Sequence, residues 1–578
     1  MAAYDCRMPV RFLQMQSRDA RAASIAALLL VPLCMAPTAA ARWSAPARPA
    51  GCSATLSAAP APSVVFPSAD PTMRSGPGAL LWTAPRECAV GANAGEAFGA
   101  TLAGDIPGMG QPLASDPVGL EEVAATAGTA TGQVVAVGSG ALTEGRIAGA
   151  FGAAQPLGGP AAPVAASSSY LGDVAIASPV RTRAGWAIAV RVQRHYSESP
   201  ARGRLVPVGA SPVEAVVATM DYRAEVLLVW ASGGTVYARE LSPAGALGPA
   251  QRLGSRAAGS PDPELRALVS DDGHAIVAWR SQSVAPGGSP STTIELSISG
   301  SGLAFEAPRV LERFRDLGGF VPPAGSLRLL RLSSEAVMIA WTGVDAGRYV
   351  VRASPVSLHR GAWSPEVISG LGSAGGQTGA NRTSVAGGRF DANRASAAGG
   401  QLDASRAGRA GSISEDAMLA DLAAGPDAEA FAVWRTAPSS EGGAPNPRRW
   451  AIRAARGHYA GQGEVSFAAS ELVAAPGPNG PPAVAVDPAS GRALAAWVTL
   501  AGKGDVGLIE YALHAAGSPS NPPPAATSVT HTARRAARHG GIALVVGLFV
   551  LAVLVLACAG VLLLGVARRP GHMRARRG

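Results

Sequence analysis

Ala275-Ile276-Val277-Ala278-Trp279 returns, with apolar substitutions only, at four other places in the chain. The other copies are Val226-Leu227-Leu228-Val229-Trp230, Val337-Met338-Ile339-Ala340-Trp341, Ala430-Phe431-Ala432-Val433-Trp434 and Ala493-Leu494-Ala495-Ala496-Trp497. A short apolar run ending in Trp and bounded by turn signals reads as a buried strand. Ahead of it come a first strand and a turn, as in Ala267-Leu268-Val269-Ser270 followed by Asp271-Asp272-Gly273. Behind it comes an alternating third strand such as Thr235-Val236-Tyr237-Ala238-Arg239-Glu240-Leu241. A Gly-led corner and a short outer strand such as Gln251-Arg252-Leu253 end the unit, which is thus a four-strand sheet used repeatedly.

Two weaker copies extend the array toward the N-terminus. Gln133-Val134-Val135-Ala136-Val137-Gly138 puts Gly138 in the Trp position, and Trp186-Ala187-Ile188-Ala189-Val190-Arg191 puts Arg191 there. Seven units then start near Val118, Tyr170, Val213, Leu265, Leu327, Met418 and Val484. A single small sheet cannot bury both faces, whereas sheets stacked radially can, leaving only short edges. The expected fold is an all-β, six- or seven-bladed β-propeller over residues 118–514. A linear β-solenoid is the competing architecture, but its repeats are usually shorter. The last unit runs out at Leu513 with no fourth strand. An N-terminal segment, Ser63-Val64-Val65-Phe66 or Ala79-Leu80-Leu81-Trp82, is expected to fill that place and latch the ring. Trp230, Trp279, Trp341, Trp434 and Trp497 read as packing residues between blades, while Trp363 and Trp450, off that register, are better candidates for exposure.

Both ends carry membrane signals. Four arginines, Arg7, Arg11, Arg18 and Arg21, precede the apolar run Ile25–Val31, and small residues follow at Thr38-Ala39-Ala40-Ala41, which suits an export signal over residues 1–41. Ile542–Val566 carries no charge and at about 1.5 Å per residue spans roughly 37 Å, enough for a hydrocarbon core of about 30 Å. The expected order is a signal (1–41), an Ala/Pro-rich segment (42–117), the propeller, a Pro-rich stalk (515–540), a single transmembrane helix (541–567) and a basic cytoplasmic tail (568–578). Of the formal charge of +9, the lead accounts for +2 and the eight arginines flanking the span for +8, leaving −1 over residues 22–533. That balance offers no basic surface for nucleic acid. Cys52 and Cys88 are the one cysteine pair left in the mature exterior part, and a disulfide between them is the expectation for an exported chain.

An insertion at 370–414 repeats every 12 residues: Ala374-Gly375-Gly376, Ala386-Gly387-Gly388 and Ala398-Gly399-Gly400 open successive copies. It reads as a duplicated surface loop. Gly370-Leu371-Gly372-Ser373-Ala374-Gly375 matches the G-x-G-x-x-G pattern but opens no helix, so no nucleotide site is assigned. No H-E-x-x-H, C-x-x-C or G-x-S-x-G motif occurs, so the sequence nominates no catalytic, metal or cofactor-binding residue. The acidic pairs Asp271-Asp272 and Glu415-Asp416 are expected at turns as solvated caps, and His274 at a turn or strand edge.

The repeats resemble those of secreted bacterial β-propellers, the sialidase-like group among them, and Ser270-Asp271-Asp272-Gly273 resembles that group's Asp-box turn. Here Gly follows Asp272 directly and Trp279 comes late, so the resemblance implies architecture and not sialidase activity. The functional expectation is a single-pass cell-membrane protein whose exterior propeller binds or scaffolds an envelope protein or glycan. A glycan hydrolase or lyase is the alternative.

Overall fold

The computed structural model describes most of residues 43–514, with short breaks and a longer one at 370–414; all described residues fall in the compact unit Met1–Ala516. The export signal, stalk, membrane span, tail and insertion lie outside the described residues, as do Cys52, Cys88 and Trp363. Among the described residues no helix is long and apolar enough to cross a membrane.

The described residues form eight antiparallel sheets, numbered I to VIII in chain order, against the six or seven blades expected. The innermost strands are Ser63–Val65, Ala125–Gly128, Ala165–Ser168, Val213–Met220, Glu264–Val269, Leu327–Arg331, Glu415–Ala424 and Ala483–Val486. Each touches the next in that order, and Ala483–Val486 comes back against Ser63–Val65. Such a closed circuit of radially stacked sheets is a β-propeller.

The extra sheet is built from the segment before Val118. Gly78–Pro85 is the second strand of sheet I, and its Ala79-Leu80-Leu81-Trp82 is a sixth copy of the Trp motif. Trp82 is as buried as Trp230, Trp279, Trp341, Trp434 and Trp497. Neither segment expected to latch the ring therefore does so, because both belong to sheet I. The latch comes from upstream. Ala54–Leu56 pairs with Val506–Leu508 as the outer strand of sheet VIII. Trp43 and Ala47 continue the contact opposite His514 and Tyr511, and Arg48 lies 3.1 Å from Glu510.

The second strands are apolar throughout because both of their faces are covered. In Val226–Ser232, Val226, Leu228 and Trp230 pack toward sheet III, while Leu227, Val229 and Ala231 pack toward sheet V. Strands enclosed on two sides read as continuous hydrophobic runs. Sheet III differs from expectation by one strand. Its second strand is Val174–Thr182, and Gly185–Gln193, which holds Trp186 and Arg191, is the third. The motif there lacks Trp, with Ser178 fifth along the strand, so periodicity had locked onto the neighbouring apolar run.

The turns between first and second strands of sheets III, IV and V share one geometry. At Ser270, its N–H donates to His274 O, the Gly273 N–H returns to Ser270 O, and Gly273 sits at φ +84°. The Asp221–Glu225 turn repeats both bonds with Ala224 at φ +61°, a left-handed conformation costly for any residue with a Cβ.

Candidate functional site

The inner strands of sheets V, VI and VII carry charges that meet one another; in the described inner strands of the other sheets the one charged residue is Glu214 of sheet IV. Glu264 opens the inner strand of sheet V, with Arg266 two residues on and therefore on the same face. Arg328 is the second residue of the sheet VI inner strand, and Asp421 follows a bulge in that of sheet VII.

Glu264 is the hub and is almost fully enclosed, with 3% of its side chain exposed. Its Oε1 accepts the N–H groups of Gly325 at 2.8 Å and Leu327 at 3.2 Å, and lies 2.8 Å from Arg266 and 3.3 Å from Arg328. Its Oε2 lies 3.7 Å from Arg280 Nε, on the adjacent strand. Arg328 Nε donates to Asp421 Oδ1 at 2.9 Å, and Asp421 Oδ2 accepts the Val484 N–H of sheet VIII at 3.0 Å. Four sheets are thus joined through one chain of charge-assisted bonds, stronger than neutral ones.

This cluster sets three guanidinium groups, Arg266, Arg280 and Arg328, against two carboxylates. Arg266 keeps 32% of its side-chain surface open and Arg328 keeps 23%. Burial pushes Arg266 down to about 10, opposed by Glu264 and reinforced by the positive charge of Arg328 and Arg280, so it remains a cation at neutral pH. The carboxylates already hold several donors each. The arrangement can hold an anionic group.

A second polar group lies at the adjoining ends of sheets V, VI and VII. Asp316 accepts Gln282 Nε2 at 2.8 Å and Thr292 Oγ1 at 2.9 Å, and burial pushes its carboxyl upward against those bonds. The Tyr349 hydroxyl oxygen accepts the Leu317 N–H at 2.9 Å, and the Tyr349 N–H donates to Asp416 Oδ1 at 3.0 Å. Burial, with Asp316 and Asp416 adding negative charge nearby, pushes the Tyr349 phenol up to about 12. It stays protonated at neutral pH. Asp316, Tyr349 and Asp416 are all buried, so this convergence of acid and phenol belongs to the packing between sheets.

The sequence nominated none of these residues. Spacings of 64 and 93 residues separate Glu264, Arg328 and Asp421, so no motif links them. The usable signal was a charged side chain inside an inner strand in the four successive repeats of sheets IV to VII. Glu415 and Asp416, expected at a turn, open an inner strand, and Asp416 is buried because it receives the Tyr349 N–H. Trp450, an off-register tryptophan that was a better candidate for exposure but still more often structural, is only 4% exposed. Asp271 and Asp272 do sit in a turn: the Ser270 hydroxyl bonds to Asp272, and Asp271 pairs with Arg331 of the next inner strand at 2.9 Å. Among the described residues no group of three or more His, Cys, Asp or Glu side chains is placed to hold a metal ion.

No family model and no curated protein matches this chain. Among solved structures it is similar to TolB from Acinetobacter baumannii at 10% identity, covering 50% of this chain and 63% of TolB, with a TM-score of 0.27. An intramolecular trans-sialidase from Ruminococcus gnavus matches at 10% identity over 80% of this chain and 96% of its own, with a TM-score of 0.32. A family PL25 polysaccharide lyase, an ulvan lyase, matches at 10% identity over 66% and 90%, with a TM-score of 0.36. Scores this low carry no argument about activity, and the architecture rests on the strand order and contacts above.

Proposed function

We propose that this chain is an eight-bladed propeller acting as a binding or scaffolding module, held outside the cell membrane by the span at 541–567 after removal of an export signal. Its ligand is an envelope glycan or protein bearing anionic groups. The observation that supports this reading is the balance of accessible charge on the inner strands of sheets V to VII. The open surface there belongs in part to the side chains of Arg266, Arg328 and Asp421, but Asp421, like the enclosed Glu264, already accepts donors from neighbouring sheets, so the charge left to offer is chiefly that of Arg266. A planar guanidinium suits bidentate contact with a carboxylate or sulfate group. A glycosidase of the two-carboxylate kind needs an acid free to give up its proton.

The test is to present full-length protein in detergent with anionic and neutral envelope glycans, and to analyse the glycan after each positive result. The expected result is binding of anionic glycans that falls as salt rises, with the glycan recovered intact and binding lost in Arg266→Gln. Shortened or unsaturated products would replace the binding reading with a hydrolase or lyase. Equal binding by wild type and Arg266→Gln would remove the inner-strand site from the reading.

A further inference from the structure

Arg435 follows Trp434 on the second strand of sheet VII, as Arg280 follows Trp279 in sheet V. Elsewhere the residue after the motif Trp is uncharged: Ala231, Thr342 and Val498. The two arginines differ in what faces them. Arg280 is paired in register with Glu264, and also donates to Pro322 O at 2.8 Å. Arg435 is paired with Met418 and with Ile452, so both flanking strands present it with apolar side chains.

Among the described residues the one partner of Arg435 is the Trp450 ring, whose centroid lies 4.7 Å from the guanidinium carbon. The guanidinium lies over that ring, and Trp450 itself is part of the hydrophobic core that includes Tyr349, Met418 and Ala437. Burial alone pushes Arg435 down to about 10, with no neighbouring charge contributing. A half-enclosed cation with no counter-ion among the described residues is costly, and a ring face offsets that cost only in part. A guanidinium resting on a ring keeps its in-plane N–H donors directed outward, in the fork that matches a planar or tetrahedral oxyanion. Arg435 and Arg280 each follow the motif Trp by one residue and lie in the second half of their ten-residue strands.

We propose that Arg435, resting on Trp450 and facing Met418 where sheet V has Glu264, is a second oxyanion site that takes a carboxylate or sulfate group from a ligand. It deepens the binding reading above by adding a contact separate from Arg266 and Arg328. The repeat explains the difference between the two arginines. Where the inner strand supplies a carboxylate, the arginine becomes part of an ion network inside the fold. Where it supplies Met418, the charge is left for a partner from outside.

The experiment follows thermal unfolding of full-length protein in detergent during titration with sodium sulfate or sodium acetate, against sodium chloride of matched ionic strength. Sulfate strengthens burial in any protein, so the quantity read is the difference between wild type and Arg435→Gln. The expected result is a saturable rise in the wild-type midpoint that Arg435→Gln lacks. Arg435→Lys, which keeps charge but loses the planar fork, should half-saturate at roughly ten-fold higher concentration. Arg266→Gln should leave this response in place, which separates failure of this site from failure of the inner-strand site. A response to sulfate alone or to acetate alone would assign the site to that anion. Identical responses in wild type and Arg435→Gln would overturn the proposal. So would a wild type without a saturable response, whether or not Arg435→Gln folds, and Arg435→Lys serves as the comparator if it does not.

Discussion

Glu264→Gln tests whether the bonds among sheets V, VI, VII and VIII help to hold the ring together. The substitution keeps the size of the side chain and one acceptor oxygen for Gly325 and Leu327, but removes the charge facing Arg266, Arg280 and Arg328. It also turns an amide NH2 toward one or more of those donors. Removing one partner of a buried ion pair costs about 3–5 kcal/mol, because the remaining charge is left uncompensated. Three arginines share Glu264, and Arg328 also pairs with Asp421, so the range of about 3–5 kcal/mol is carried forward whole. With about 2.1 cal/mol/K of unfolding entropy per residue, a ring of roughly 470 residues loses about 1 °C of midpoint per kcal/mol, giving a fall of roughly 3–5 °C. Calorimetry on the full-length protein in detergent would read this directly. The loss should persist at about 1 M salt, since enclosed charges are weakly screened. A midpoint within about 1 °C of wild type, or a loss that disappears with salt, would show that the network is a surface decoration and refute the argument.

Three further outcomes follow from the geometry. Gly254→Ala should destabilise by about 1–3 kcal/mol, because the new Cβ would lie 2.7 Å from Cζ2 of the fully buried Trp279; chemical denaturation with Trp fluorescence would report it. Ala346→Gly should stabilise by about 1 kcal/mol, since Ala346 is exposed at φ +47° and loses no packing, which the denaturation midpoint would show. The Tyr349 phenol is raised from 10.0 to about 12, so the folded protein holds that proton more tightly than the unfolded chain. The stability this provides is complete below pH 10 and lost as pH rises toward 12, about 2–3 kcal/mol in all. In Tyr349→Phe the alkaline loss over that window should flatten, as followed by unfolding midpoints at stepped pH.

The repeat was legible because a buried strand with two covered faces has little choice of composition, and five Trp-terminated runs announced it. Sheet I was legible by the same rule, since Ala79-Leu80-Leu81-Trp82 obeys it. It was hidden by the Ala/Pro-rich sequence around it. The third strand of sheet III was taken for the second because neighbouring strands in a closed ring are similarly apolar. Trp450 lies off the motif register, and its burial depends on residues of other strands, Tyr349, Met418 and Ala437 in the core and Arg435 over its ring.

Local pattern therefore settled the all-β class, the four-strand unit and the burial of the motif tryptophans, because each depends on residues a few positions apart. Ring closure, the source of the latch and the charged cluster depended on contacts between distant parts of the chain. Trp43 meets His514, and Glu264 meets Arg328, which meets Asp421. Such contacts leave no spacing in the sequence, because it is the radial stacking of independent sheets, and not the order of residues within any one of them, that sets which charges stand side by side.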